Sequence, residues 1–201
     1  NLLSSQPVCF NLFGYLRGHR AALRGVMSRL LDLDISEIDV VEVEWAPRRD
    51  DHLGDRTAFD AFVQYRTSSR GVGFLGIETK YTEKFSPRVY RAASYRELTE
   101  DPANGFRDGA TDRLERSLTN QLWRNALLTT SLANTAEFDE GLCVVVHCER
   151  DAELGRAISA FHAEREEPGS LVRAISYETM IGALRHDPDV SEWARAFEER
   201  Y

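Results

Sequence analysis

Thr57-Ala58-Phe59-Asp60-Ala61-Phe62-Val63-Gln64-Tyr65-Arg66, then the turn-like Thr67-Ser68-Ser69-Arg70-Gly71, then Gly73-Phe74-Leu75-Gly76-Ile77-Glu78-Thr79-Lys80-Tyr81, is the stretch that decides the fold. Both flanking runs are rich in aromatic and apolar residues and are of strand length. The polar connection between them makes a short hairpin. Period-two alternation predicts Phe59, Ala61, Val63 and Tyr65 on one face, with Asp60, Phe62 and Gln64 on the other. In the second run Glu78 and Lys80 share a face, opposite Ile77, Thr79 and Tyr81.

Working outward, Ile38 to Trp45 predicts a preceding strand, with Val41, Val43 and Trp45 on one face and Glu42 and Glu44 on the other. Leu12 to Leu31 has helical spacing and ends at Leu31-Asp32-Leu33-Asp34. Residues 82–112 are polar and interrupted by Pro87, Pro102 and Gly105, which predicts a long loop or short helical pieces. A strong helix is expected over Arg113 to Leu132 and a buried strand over Gly141 to Cys148. An amphipathic helix from Ala152 to Arg165, a strand from Leu171 to Tyr177 and helix from Thr179 onward complete the order. Three successive strands form an antiparallel meander, and a strand after a crossover helix can join in parallel. The expected architecture is α/β, a central mixed sheet flanked by helices.

The 201 residues suit one domain over 1–201, and 42% hydrophobic residues suffice for a core. No apolar run is long enough for a membrane span, so no membrane association is expected. A signal peptide is not visible, and the start at Asn1 suggests a missing N-terminal segment. Three cysteines, Cys9, Cys143 and Cys148, are too few for a disulfide framework or a structural zinc site. They fit a cytoplasmic, reducing compartment, with Cys143 and Cys148 read as core residues.

The net charge of −8 is unevenly spread. Residues 48–124 carry 14 basic and 12 acidic side chains, whereas residues 125–201 carry 7 and 15. Only the middle third does not repel a polyanion, which permits nucleic-acid binding without requiring it. All but two of the basic residues are Arg, the exceptions being Lys80 and Lys84. Lys is a compact charge with a tunable proton affinity, so its use at this one stretch is a pointer to chemistry.

Asp60 and Glu78 fall on adjacent strands. Two carboxylates one strand spacing apart repel unless a cation lies between them. A hard ion such as Mg²⁺ meets that need while keeping several waters. Lys80, two residues beyond Glu78, would set an ammonium beside the ion, able to orient a metal-bound water or stabilise developing charge. The plain alternative is a solvated strand face with weak ion pairs. Against it stand the apolar neighbours Phe59, Phe62, Phe74, Leu75 and Ile77, and the recurrence of an acid (Glu42 or Glu44) on the preceding strand.

Asp60 within Ala58-Phe59-Asp60-Ala61-Phe62, followed by Glu78-Thr79-Lys80, resembles the PD-(D/E)XK nuclease superfamily. The segments Ser4-Ser5-Gln6-Pro7-Val8-Cys9-Phe10-Asn11-Leu12-Phe13-Gly14 and Gly76-Ile77-Glu78-Thr79-Lys80-Tyr81 are similar to a bacterial branch provisionally classed as restriction endonucleases. The resemblance covers roughly residues 4–180 and is specific through 55–83. Phe59 stands where that superfamily usually has proline. The resemblance implies a restriction-endonuclease-like αβββαβ core and Mg²⁺-dependent hydrolysis of DNA phosphodiester bonds, with Mn²⁺ able to substitute. Asp60 and Glu78 would ligate metal with the Thr79 carbonyl, Lys80 would position or activate water, and Glu44, with Glu42 as the alternative, would add an acid.

Gln121 and Arg124 on the following helix are candidate phosphate or active-site contacts, and Gln6 and Asn11 have similar standing. The competing reading is a helix surface. Arg48, Arg49, Lys84, Arg88 and Arg91 are candidates to grip a DNA backbone, or else ordinary loop charges. The histidines show no metal-ligand spacing, and His147 reads as structural. A homodimer would suit double-strand cutting. The rival to a nuclease is a non-catalytic nucleic-acid-binding module with the same fold. A third reading is a sheet domain for protein contacts.

Overall fold

The computed structural model describes residues 4–48 and 51–201. Five strands form one sheet in the order β1 (Glu37–Trp45), β2 (Phe59–Arg66), β3 (Val72–Lys80), β4 (Glu140–His147), β5 (Val172–Ser176). The first three pair antiparallel, and β3, β4 and β5 run parallel. This is the expected mixed sheet between helices, a restriction-endonuclease-like α/β arrangement. Arg49 and Asp50 lie outside the described residues.

One sheet face packs on α1 (Ser5–Cys9) with its π-helical continuation Phe10–Gly14, on α2 (Arg20–Leu31), and on α7 (Tyr177–Leu184) and α8 (Ser191–Arg200). The other face packs on α3 (Ala93–Glu100), α4 (Ala110–Leu114), α5 (Asn120–Ala133) and α6 (Ala152–His162). Strand β3 lies at the centre and is buried from Gly73 to Lys80. Coverage on both faces explains its near-continuous apolar run and makes its two charged residues, Glu78 and Lys80, exceptional.

Several expectations need correction. The helix expected from Leu12 to Leu31 is two pieces, broken around Gly18 and His19, where His19 leaves helical backbone at φ −126° and ψ 54°. The helix expected from Arg113 to Leu132 breaks between α4 and α5, because the Thr119 hydroxyl donates to the Leu114 carbonyl at 2.8 Å and closes a turn. Leu118, inside the stretch expected to be helix, is exposed. Cys143 is buried as expected, whereas Cys148 is only half-buried.

The facing of β1 and β2 also departs from simple alternation at one end. Trp45 stacks on Phe62 at 4.4 Å and on Phe59 at 5.8 Å, on the α5 side. Val43 and Ala61 pack on the opposite side. The parity change on β1 coincides with Glu44, which adopts left-handed backbone at φ 56°. On β2 it falls at Asp60. Strain of this kind in a non-glycine residue is held by its surroundings and concentrates at functional sites.

The Phe59 ring lies directly over Gly76, where an added Cβ would come within 2.4 Å of it. A methyl there forces the ring aside, and overpacking of this kind costs about 1–3 kcal/mol. Gly76→Ala is therefore expected to lower the unfolding free energy by that amount, read as a lower urea midpoint with an unchanged slope. An unaltered midpoint would show that Phe59 is not held where described.

Candidate active site

Glu78 is the most constrained side chain of the region, with 4% of its surface exposed. Its Oε1 accepts from the Lys80 ammonium at 2.6 Å and from the Gln121 amide at 2.6 Å, while Oε2 accepts from the Asn125 amide at 2.7 Å. Gln121 and Asn125 are one helical turn apart on α5, so a single helix face supplies both amides. Burial foremost, and then the charge of Asp60, push the Glu78 carboxyl up to about 7, with Lys80 and Asn125 pulling the other way. Burial alone would lower the Lys80 pKa, but Glu78, then Asp60 and Glu83, outweigh it and raise it. Phe85 stands 5.3 Å beneath the ammonium.

Asp60 arrives from β2 where the ladder ends. The last β2–β3 partners are Ala61 and Ile77. Beyond them the Thr79 amide N–H donates to Asp60 Oδ2 at 2.7 Å, and the Thr79 hydroxyl donates to the same oxygen at 2.8 Å. The side chain thus takes a bond that a backbone carbonyl would otherwise accept, and it pins the strand ends together. Asp60 Oδ1 accepts no hydrogen bond among the described residues.

Helix α1 brings Gln6 and Cys9 to the same place. Gln6 donates to Glu44, and the Cys9 thiol donates to the Asp60 carbonyl at 3.4 Å. The Cys9 thiol is pushed up by burial and by Asp60, Glu78 and Glu44, so one sulfur senses all three carboxylates. Glu42 instead lines an open groove with Trp45, Phe62 and Gln64. Of the two acids weighed on β1, Glu44 is the one bonded beside Asp60.

Arg124 has a different engagement. Its guanidinium bonds Thr57 at 2.7 Å, Tyr95 at 2.9 Å and Asp55 at 3.0 Å, and stacks on Tyr90 at 4.1 Å. It braces the approach to β2, whereas Gln121 reaches the carboxylate and also accepts from the Ser86 N–H at 2.8 Å. Asn11 donates to the Tyr201 hydroxyl, away from Asp60. Lys84 pairs with Glu153 and Arg91 with Glu115, at the surface.

Three participants were not anticipated. Asn125 lies one helical turn from Gln121, and that spacing was the available signal. Glu83 accepts from the Ser5 N–H at 2.7 Å, tying α1 to the segment after β3. Tyr177 is buried, with its hydroxyl beside Thr79, Cys9 and Asp60. Nothing in their local sequence marked the last two.

Among the described residues no three His, Cys, Asp or Glu side chains are grouped to hold a metal ion. The oxygen set on offer is the Asp60 and Glu78 carboxylates, with the Thr79 hydroxyl bonded to Asp60. An all-oxygen pair with mutual repulsion fits a hard divalent cation that keeps most of its waters, and does not fit zinc. The unengaged Asp60 Oδ1 is consistent with that chemistry.

A strand-borne Asp and a Glu-x-Lys pair on the central strand thus meet at one end of the sheet. The model of the PD-(D/E)XK nuclease superfamily matches residues 1–201, the entire sequence, and the chain belongs to that superfamily. No curated protein matches significantly, and neither does any solved structure.

The Asp55 brace carries a pH signature. Burial raises the Asp55 pKa, but Tyr95, Thr57 and Arg124 outweigh it, so the folded pKa lies below the ordinary 3.8. The unfolded chain then binds the proton more readily, so this stabilisation is present above the unfolded pKa and fades as pH falls through the folded one. Asp55→Asn is expected to lower urea stability at pH 7 by about 1–3 kcal/mol, the penalty for weakening half-buried charged hydrogen bonds. The deficit should shrink below pH ~3, past the ordinary aspartate range. A deficit equally large in acid would contradict the assignment.

Proposed function

We propose that the chain is a Mg²⁺-dependent deoxyribonuclease that hydrolyses phosphodiester bonds, with Mn²⁺ able to substitute, acting in restriction or another form of genome defence. Membership of the nuclease superfamily supports the reaction class. The observation that carries the site is the buried Glu78–Lys80 pair at 2.6 Å with Asp60 bonded across the strand ends onto Thr79. A solvated strand face has no reason to bury an ion pair under two amides, because desolvating charges is expensive.

In this reading Asp60, Glu78 and the Thr79 carbonyl would hold the ion. A bound Mg²⁺ supplies charge neutralisation at the phosphate and a more acidic water. Gln121 and Asn125 fix the rotamer of Glu78, so the carboxylate is preorganised rather than recruited. Lys80 has three N–H donors, of which Glu78 engages one. The others can hold an attacking water or a phosphate oxygen. Glu44, bonded to Gln6, supplies negative charge beside Asp60, and α1 keeps Gln6 there through the Glu83–Ser5 contact. No helix among the described residues is long and apolar enough to cross a membrane.

The purified protein is expected to cut plasmid DNA with Mg²⁺ or Mn²⁺ and to stop on addition of EDTA. Asp60→Asn should cut about 10²–10⁴-fold more slowly while unfolding near the wild-type urea midpoint, since that range spans the loss of a positioned catalytic group. Wild-type rates in Asp60→Asn would refute the assignment. Lys80→Ala is expected to abolish cutting too, but at a stability loss of about 3–5 kcal/mol, because Glu78 would be left buried and unpaired. A Lys80→Ala protein as stable as wild type, by denaturant titration, would show that the pair is not buried as described.

A further inference from the structure

Lys84-Phe85-Ser86-Pro87-Arg88-Val89-Tyr90-Arg91 crosses the start of α5 on the way from β3 to α3. The Ser86 N–H donates to Gln121 Oε1 at 2.8 Å, and the Gln121 amide donates to Glu78 at 2.6 Å. One residue earlier on α5, Asn120 does the same for the far end of the segment. The Tyr90 N–H donates to Asn120 Oδ1 at 2.9 Å, and the Asn120 amide donates back to the Tyr90 carbonyl at 3.1 Å. Asn120 is 0% exposed, so a fully buried side chain is committed to the backbone of a single loop residue. Adjacent residues of one helical turn thus fix both Glu78 and Tyr90. At the near end Phe85 stands 5.3 Å from the Lys80 ammonium.

What this clamp holds is an exposed ring. Tyr90 is 40% exposed, with the Arg124 guanidinium over its ring at 4.1 Å. Arg124 is itself locked by Asp55 and Thr57, so the ring has a fixed backing. Val89 precedes Tyr90, and Leu118, from the turn before α5, lines a hollow with Lys84 and Phe85. Val89, Tyr90 and Leu118 are three of the four large apolar side chains exposed among the described residues. Such grouping marks a binding surface, whereas scattered exposed residues do not. The charge around it is positive. Residues 84–91 carry three cations and no acid, in a chain whose net charge is −8. Lys84 and Arg91 pair with Glu153 and Glu115, but Arg88 and Arg116 have no carboxylate partner among the described residues.

We infer that this strap is the landing site for an unpaired DNA strand, with Tyr90 as the ring on which one base stacks and Arg88 and Arg116 as contacts to its phosphates. The choice of a nucleic acid rests on the nuclease reading, and the choice of a single strand rests on the strap. Surfaces that take single strands combine positive charge with aromatic rings, because every base presents a π-face whatever its sequence. In a duplex the bases are stacked on one another, so a ring at the protein surface meets a base only after that base is unstacked at an energetic cost. Stacking on Tyr90 therefore favours DNA that is single-stranded or frayed near the cut. The paired clamps of Asn120 and Gln121 hold the stacked base at a set distance from Glu78, so the strap positions the strand as well as binding it.

Fluorescence anisotropy in EDTA, with a labelled oligothymidylate and a labelled blunt duplex of equal length, tests this without any cleavage step. The single strand is expected to bind more tightly than the duplex. Tyr90→Ala should weaken single-strand binding by roughly 5- to 150-fold, the range for removing one stacking aromatic, while duplex binding is unchanged and Tyr90→Phe keeps wild-type affinity. Arg88→Gln should flatten the salt dependence of single-strand binding by about 0.7 in log–log slope, the value for one phosphate contact. Arg88 is exposed, so that variant reports even where Tyr90→Ala fails to fold. A wild-type protein that binds the duplex as tightly as the single strand overturns the proposal. So does a folded Tyr90→Ala protein with unchanged single-strand affinity, or an Arg88→Gln protein with an unchanged slope. An oligoglutamate that displaces the labelled strand as well as unlabelled oligothymidylate also overturns it, by showing a site for any polyanion. DNA cutting with Mg²⁺ or Mn²⁺ by the same preparations separates the two readings. Tyr90-dependent binding without cutting overturns the nuclease alone, and cutting without such binding overturns the strap alone.

Discussion

A carboxylate buried at the end of the central strand is the constraint around which the rest of the site is arranged. Glu78 lies where both sheet faces are covered, and a lone charge there would be strongly destabilising. It is tolerated because Lys80 supplies a countercharge and α5 supplies two amides. Each partner is bound to the position in turn. Lys80 must lie two residues on along the strand to share the face, and Gln121 and Asn125 must lie one turn apart on α5. Replacing such a pair with apolar residues is often neutral or stabilising. Its presence in this core is best explained by chemistry rather than by stability.

The other half of the site answers a different constraint, the fraying of β2 and β3 beyond Ala61 and Ile77. Asp60 closes that end by accepting from the Thr79 amide and hydroxyl. The left-handed backbone at Glu44 turns Trp45 onto Phe59 and Phe62, and Glu44 itself meets Gln6 of α1. Carboxylates from three strands therefore converge at one sheet end, held by backbone and helix contacts rather than by attraction for one another. Burial foremost, with the charge of Asp60 adding to it, holds the Glu78 carboxyl above the ordinary range.

Much of this was legible in the chain itself. The three strands, their antiparallel order and the shared facing of Glu78 and Lys80 follow from period-two patterning, because a strand buried on both faces leaves few places for charge. The Glu-x-Lys pair and the distant aspartate also carried the family resemblance, which the superfamily match supports. Alternation failed where the backbone departs from regular strand, at Glu44 and Asp60, since a parity rule assumes uniform pleating. Helix breaks at Gly18 and Thr119 were hidden because hydrophobic spacing continues across them. Asn125, Glu83 and Tyr177 gain their meaning only from tertiary neighbours, and no local pattern distinguishes a polar residue that meets a buried carboxylate from one that meets water.

The central claim is that Asp60 and Glu78 together form a cation site. A crystal grown or soaked with Mn²⁺ and measured at the manganese absorption edge tests it directly. The account predicts an anomalous peak within about 2.0–2.3 Å of one oxygen of each carboxylate, the range for hard divalent ions on oxygen ligands. A fully occupied manganese elsewhere in the molecule, with the Glu78 oxygens still bonded only to Lys80, Gln121 and Asn125, would contradict it.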